Sequence, residues 1–303
     1  MSEPLEVANF FWEGSALGMQ ERACITSFCD HGFDVRVYSY RQLEIPPKAV
    51  LRDAATILPY SEIGRYTQGG MPGNLAAFSD AFRYHLLRKE SGWWFDTDVL
   101  CSAPVKQFVD IVVAKATRFS AGWEDEHQVN GAVLYLADAR LLDALIEDLT
   151  RVGYVFEWGA IGPKLITSTL RRLRLETLAD ETSLYYPIHY NEFIRLYDPD
   201  QYEWCEEKSQ GALAIHLWNE FRTIFSLPNN LLPPTGSFLH TRLLNVCPSL
   251  KLAPTLPVKT FRALVDGVAM AKSHKRLLQL ERDLLNSRLH RATSMFRRLL
   301  GQG

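Results

Sequence analysis

The first forty residues constrain the fold most. Val7–Trp12 is a short apolar run that reads as a buried strand. The stretch after it places Leu17, Cys24, Ile25 and Phe28 on one helical face, with Ser15 positioned to cap the helix and Gly32 to end it. Asp34–Tyr40 then alternates Val35 and Val37 with tyrosines, as a second strand does. A strand, a helix and a strand in this order point to a parallel α/β sheet.

The rest of the chain continues the theme. Ala54–Leu58 reads as a third strand, and Thr67–Gly73, with three glycines and Pro72, as a loop. Asn74 is placed to cap a helix running to about Glu90, with Leu75, Phe78, Phe82 and Leu86 on one stripe; Gly92 breaks it, and Trp93–Phe95 forms a strand. Phe108–Ala114, Ala132–Leu136 and Ala212–Trp218 read as further strands, Asp138–Arg151 and Pro163–Leu175 as helices, and Pro228–Pro234 as a loop. From Pro257 onward there are ten Lys/Arg against three Asp/Glu, whereas the whole chain carries −2. In that segment Leu277, Leu280, Leu284, Leu285, Leu289, Phe296 and Leu299 recur at helical spacing among basic residues. The expected division is an α/β domain over residues 1–250 and a basic amphipathic helical extension over 251–303.

Asp96 and Asp98 follow the aromatic Trp93–Phe95 strand at i and i+2, a spacing that on a strand puts both carboxylates on one face. Paired oxygen donors suit a hard divalent cation, and strand C-terminal ends in open α/β sheets are where ligands bind. A bare pair of this kind is common by chance; the context makes it specific. One helix earlier stands Ser79-Asp80-x-x-Arg83, with Asp80 and Arg83 on one helix face. Alone these two would be a surface ion pair of little weight; together with the aspartates they suit a clamp on sugar hydroxyls, with Arg83 also meeting phosphate.

Ser79-Asp80-x-x-Arg83-Tyr84-x-Leu86, Gly92 and Phe95-Asp96-Thr97-Asp98 resemble the sugar-binding region of glycosyltransferase family 32 and its relatives, among them α-1,4-galactosyltransferases and bacterial polysaccharide transferases. Further landmarks come in the family's order: Phe11-Trp12, Asn130-Gly131, Gly162-Pro163 and His216-Leu217-Trp218-Asn219. Ser91-Gly92 departs from the usual Gly-Gly pair, and the likeness, strongest over Gly69–Val99, stops near Ser249. The resemblance implies a GT-A fold, a Rossmann-like mixed sheet flanked by helices, here with a basic helical C-terminal extension. It implies a hexose moved with retention from a nucleotide diphosphate sugar, UDP-linked, to a glycan or glycolipid hydroxyl, as in bacterial polysaccharide or lipopolysaccharide synthesis. Mn²⁺ or Mg²⁺ would sit on Asp96 and Asp98, with His216 as a third ligand or, equally, as a satisfied buried histidine. Trp12 would stack on the base or belong to the core. Trp218 would wall the donor pocket or be core. Asn130 would bond sugar hydroxyls or cap a loop. Ser79, Asp80 and Arg83 would bind the donor.

A metal-dependent sugar-nucleotide hydrolase or phosphotransferase, or an inactive carbohydrate-binding relative, would use the same carboxylates. There is no P-loop, GxGxxG, HExxH or nucleophile elbow. The near-neutral charge gives no reason to expect nucleic acid. Five scattered cysteines without metal spacing, no apolar run of membrane-spanning length and no visible signal peptide suggest a cytoplasmic protein. The basic tail is suited to docking on the body, to self-association, or to peripheral binding at the inner face of the plasma membrane.

Overall fold

The computed structural model describes residues 6–114 and 119–277. Its eleven described strands in chain order are β1 (Val7–Phe11), β2 (Asp34–Ser39), β3 (Val50–Asp53), β4 (Thr67–Gln68), β5 (Met71–Pro72), β6 (Trp93–Phe95), β7 (Val99–Cys101), β8 (Phe119–Trp123), β9 (Val129–Leu136), β10 (Val155–Phe156) and β11 (Ala214–His216). The principal helices up to residue 172 are α1 (Met19–Asp30), α2 (Leu75–Glu90), α3 (Val105–Ala114), α4 (Ala139–Val152) and α5 (Pro163–Arg172). Six strands make the main sheet in the order β3-β2-β1-β6-β9-β8. The first four run parallel, and β9 and β8 are antiparallel to their neighbours. This is the mixed, Rossmann-like arrangement of the GT-A fold.

The aromatic runs are explained by burial on both sheet faces. Phe10, Trp93 and Phe95 enter the core that holds Phe28 of α1, while Phe11 and Trp94 enter the one that holds Phe78 and Phe82 of α2. The Phe11 and Phe82 rings lie 4.5 Å apart, which fixes α2 against β1. Asn74 caps α2 as expected, its side chain accepting from the Ala77 N–H.

Several expectations are corrected. α1 begins at Met19 with Gly18, not Ser15, at its N-cap. The third strand precedes Ala54, because the Asp53 side chain accepts from Ala55 N–H and winds Ala54–Thr56 into a 3₁₀ turn. Phe108–Ala114 is helical despite its β-branched residues. Phe108 and Val112 are buried one turn apart while Val113 is 65% exposed, a period of 3.6 and not 2. The glycine-rich loop holds the β4–β5 hairpin, to which β10 is added.

Ser91, the departure from Gly-Gly, has φ 55° and ψ −172°, a conformation almost reserved for glycine. Ser91→Gly should therefore stabilise the protein by about 1 kcal/mol, the relieved strain exceeding the added chain entropy of the unfolded state. A higher urea midpoint at unchanged slope is the expected reading. A lower one would mean that the Ser91 hydroxyl bond to the Glu90 carbonyl outweighs the strain.

Packing carries past residue 250. Leu256 and Phe261 join the core of α1, and Arg262 pairs with Asp198 and Asp200. Residues 258–277 are helical, half-buried at Leu264 and Val265 and exposed from Ala269 onward. Lys272, Lys275 and Arg276 lie on that exposed part. The stripe from Leu280 to Leu299, with Arg282, Arg288, Arg291, Arg297 and Arg298, lies outside the described residues. No helix among the described residues is long and apolar enough to cross a membrane.

Candidate active site

A cavity of about 520 Å³ opens where β6 ends, and the sequence-predicted residues Ser79, Asp80, Arg83, Asp96, Asp98, Asn130, His216 and Trp218 all line it. Trp12 does not line it. Its indole N–H donates to the Ala16 carbonyl at 3.1 Å, and its side chain packs against the core of α1.

Asp96 and Asp98 do not share a strand face. The Val99 N–H donates to the Asp96 carbonyl at 3.0 Å, so Asp96-Thr97-Asp98-Val99 is a tight turn between β6 and β7. The turn is held at both ends. The Asp96 N–H donates to the Ala132 carbonyl of β9, and the Leu217 N–H donates to the Asp98 carbonyl. Because β11 pairs antiparallel with β7 and His216 stands opposite Val99, His216 is delivered to the turn by sheet register.

Ligand atoms of Asp96, Asp98 and His216 lie within 4.8 Å of one another, the one such group of three among the described residues. His216 Nε2 is 3.3 Å from Asp98 Oδ1, and the Asn219 N–H donates to Asp98 Oδ2 at 2.8 Å. Burial works against charge on both partners. Their mutual attraction prevails, holding the Asp98 carboxyl below its ordinary range and the His216 imidazole above its own. His216 Nδ1 is buried without a hydrogen-bond partner. Two carboxylates and an imidazole fit a divalent cation that accepts mixed oxygen and nitrogen donors.

Beside this group Arg83, 4% exposed, sits between two carboxylates. Its Nη2 is 3.0 Å from Asp80 Oδ1 and 3.1 Å from Asp96 Oδ1. Trp94 Nε1–H donates to the same Asp96 oxygen at 2.7 Å. The guanidinium is thus committed as a countercharge to the carboxylates. Burial pushes the Asp80 carboxyl up to about 6; Arg83 opposes the rise and Asp96 adds to it. Two glycines make room for this pair. A Cβ at Gly131 would stand 2.5 Å from Arg83 Nη1, and one at Gly162 would stand 2.5 Å from Asp80 Oδ2. The Asn-Gly and Gly-Pro landmarks therefore exist to let backbone approach the clamp. Tyr84 fastens the second of them, its hydroxyl donating to the Ile161 carbonyl at 2.9 Å.

Asn130 spends one donor and one acceptor within the protein. Its Oδ1 accepts from Ala132 N–H at 2.7 Å and its Nδ2 donates to Glu124 Oε2 at 2.8 Å, so it orders the start of β9 and fixes Glu124 in the cavity. Trp218, 7% exposed, both walls the cavity and belongs to the core. Its N–H donates to the Ile188 carbonyl, and its ring lies 4.0 Å from that of His216.

One supporting group carries no sequence signal. Glu21 of α1, 2% exposed, accepts from Asn219 Nδ2 at 2.9 Å and pairs with Arg222 at 3.2 Å. It thereby anchors the residue whose N–H holds Asp98. A first-turn glutamate looks like an ordinary helix-dipole residue, and its partners stand some 200 positions away.

Residues 137–250, which include Gly162-Pro163 and the His216–Asn219 element, match the model of the alpha 1,4-glycosyltransferase conserved region. The chain is 28% identical over 186 residues to the human alpha-1,4-N-acetylglucosaminyltransferase, across 57% of this chain and 50% of that protein. It therefore spans about half the length of this curated relative. Among solved structures it is similar to mouse xyloside xylosyltransferase 1 (TM-score 0.40, 9% identity, 69% of this chain and 96% of that one). It is also similar to the glycosyltransferase GlyE of Streptococcus pneumoniae (TM-score 0.36, 14% identity, 71% and 56%). The chain is thus similar to alpha 1,4-glycosyltransferases over residues 137–250, and the aspartate turn ahead of that region meets it where β7 pairs with β11.

Proposed function

We propose that this protein transfers a hexose from a nucleotide diphosphate sugar, UDP-linked, to a hydroxyl of a glycan or glycolipid, with retention. The observation that carries the reading is the convergence, in one cavity, of the Asp96–Asp98–His216 group with the Asp80–Arg83 clamp. Asp96, Asp98 and His216 would hold Mn²⁺ or Mg²⁺, which when bound supplies charge neutralisation on a diphosphate leaving group. The imidazole ligand favours Mn²⁺. Asp80, ionised above about pH 6, is an acceptor for sugar hydroxyls, while Arg83 keeps its charge tolerable in a buried place. No side chain is needed as nucleophile if the leaving phosphate takes the acceptor proton. The name of the human relative makes UDP-N-acetylglucosamine the first donor to try. The polysaccharide setting, the cytoplasmic location and a membrane contact through the basic tail belong to the same proposal and rest, in that order, on the resemblance, on the scattered cysteines and on the tail's charge.

A thermal-shift series with UDP-glucose, UDP-galactose, UDP-N-acetylglucosamine and UDP-N-acetylgalactosamine, each with and without Mn²⁺, tests the reading. At a ligand concentration about a hundred times Kd the native state gains roughly 2.7 kcal/mol, so the right donor should stand out. The Mn²⁺-dependent part should be larger at pH 8 than at pH 6, because a ligating imidazole must shed the proton that Asp98 helps it keep. Shifts that ignore both Mn²⁺ and the sugar would sink the proposal.

A further inference from the structure

Trp158 stands apart among the seven tryptophans. It is 59% exposed and belongs to neither core cluster, yet it lines the same cavity as Asp80 and Asp96. Its exposure is built in. Trp158 and Gly159 are the central residues of a turn closed by the Ala160 N–H donating to the Glu157 carbonyl at 3.2 Å, with Gly159 at φ 73°. The turn is tied to α5 from both sides. Lys164 Nζ donates to the Trp158 carbonyl at 3.1 Å, and the Lys164 N–H donates to the Gly159 carbonyl at 3.3 Å. Folding gains little from a large apolar ring held in water on a fastened turn.

We infer that Trp158 is the stacking platform for the acceptor's pyranose ring, an inference that rests on the transferase reading above. A pyranose presents a face of C–H groups to an aromatic ring and its hydroxyls to polar groups around it. Depth separates acceptor from donor. The clamp side chains are little exposed, 5% at Arg83 and 15% at Asp80, which keeps a reactive sugar from water, whereas Trp158 is 59% exposed, as suits a glycan that has to leave the cavity toward solvent. Charge narrows the ligand. Asp80, Asp96, Asp98, Glu124 and Glu220 face the cavity against Arg83 and His216, so the platform takes a neutral pyranose and disfavours uronic or sialic acids.

The test compares Trp158→Ala and Trp158→Phe with the wild type. The probes are the methyl glycosides of galactose, glucose, N-acetylgalactosamine and N-acetylglucosamine, in the presence of UDP and Mn²⁺. Saturation-transfer NMR reads binding directly, and kinetics read KM for acceptor and for donor. Trp158→Ala should raise the acceptor KM about tenfold and abolish ring-face saturation transfer, with donor KM and donor hydrolysis within about twofold. Trp158→Phe should keep both within about threefold, since the aromatic face remains. Unchanged saturation transfer and acceptor KM in Trp158→Ala would overturn the platform, as would a donor KM raised equally. If no UDP-sugar is turned over by any of the three proteins, the transferase reading fails by itself. A methyl-glycoside signal lost in Trp158→Ala and kept in Trp158→Phe would then still uphold the platform, and its absence in the wild type would refute it.

Discussion

Asp98→Asn should lower transfer about a thousandfold, which is roughly 4 kcal/mol of transition-state stabilisation, while the fold survives. The two halves of this expectation come from different contacts. Asp98 Oδ2 accepts from the Asn219 N–H, a bond the asparagine carbonyl can still make, so the turn and its link to Leu217 are retained. Oδ1 faces His216 Nε2, and there an amide offers no charge to a cation. Asp96→Asn should lose as much activity and more stability, because Asp96 also accepts from Arg83 and Trp94. Activity measured across a Mn²⁺ titration, beside urea denaturation of each variant, separates the effects. A variant of Asp98 that retains near-normal transfer after chelation would remove the metal site from the mechanism.

What could be read from sequence was what local spacing encodes. Asp80 and Arg83 had to share a helix face at i and i+3, and the cap at Asn74 fixed where that helix began. The Trp93–Phe95 run had to be a strand, and the strand–helix–strand opening had to be parallel. What local spacing does not encode was misread or invisible. The aspartate pair reads like a strand continuation, but a turn hydrogen bond reverses the chain there. Val109, Ile111 and Val113 advertise a strand, yet burial at Phe108 and Val112 decides for helix. Trp12 resembles a stacking residue and lies half-buried outside the cavity, whereas Trp158, which nothing in its neighbourhood marked, lines it. Glu21 and Asn219 meet only because the fold brings α1 beside the end of β11. The resemblance supplied the order of the landmarks; the structure supplies their reason, since Gly131 and Gly162 are the places where Arg83 and Asp80 need backbone without a side chain.

Arg83→Met should cost about 3–5 kcal/mol of stability at pH 7, the range for a buried charge stripped of its partner. Methionine fills much of the space of the arginine stem, so the loss isolates the charge from the packing. The carboxylates left behind are Asp80, already pushed up to about 6 by burial, and Asp96, which raises it further. Arg83 is the group that holds Asp80 down, and without it the Asp80 carboxyl rises above 6 in the native state while it stays near 4 in the unfolded chain. Between those values the native protein binds more protons than the unfolded one, so stability falls as pH rises through the window and returns as pH drops. The destabilisation relative to wild type should therefore shrink between pH 7 and pH 5. Arg83→Lys should fall between the two proteins. It keeps a cation but leaves empty the space beside Gly131 that Nη1 occupies. Urea denaturation of the three proteins at pH 5, 6 and 7 decides the matter. A cost under about 1 kcal/mol at pH 7, or a cost that grows on acidification, would show that Arg83 is not the countercharge on which this acidic cavity depends.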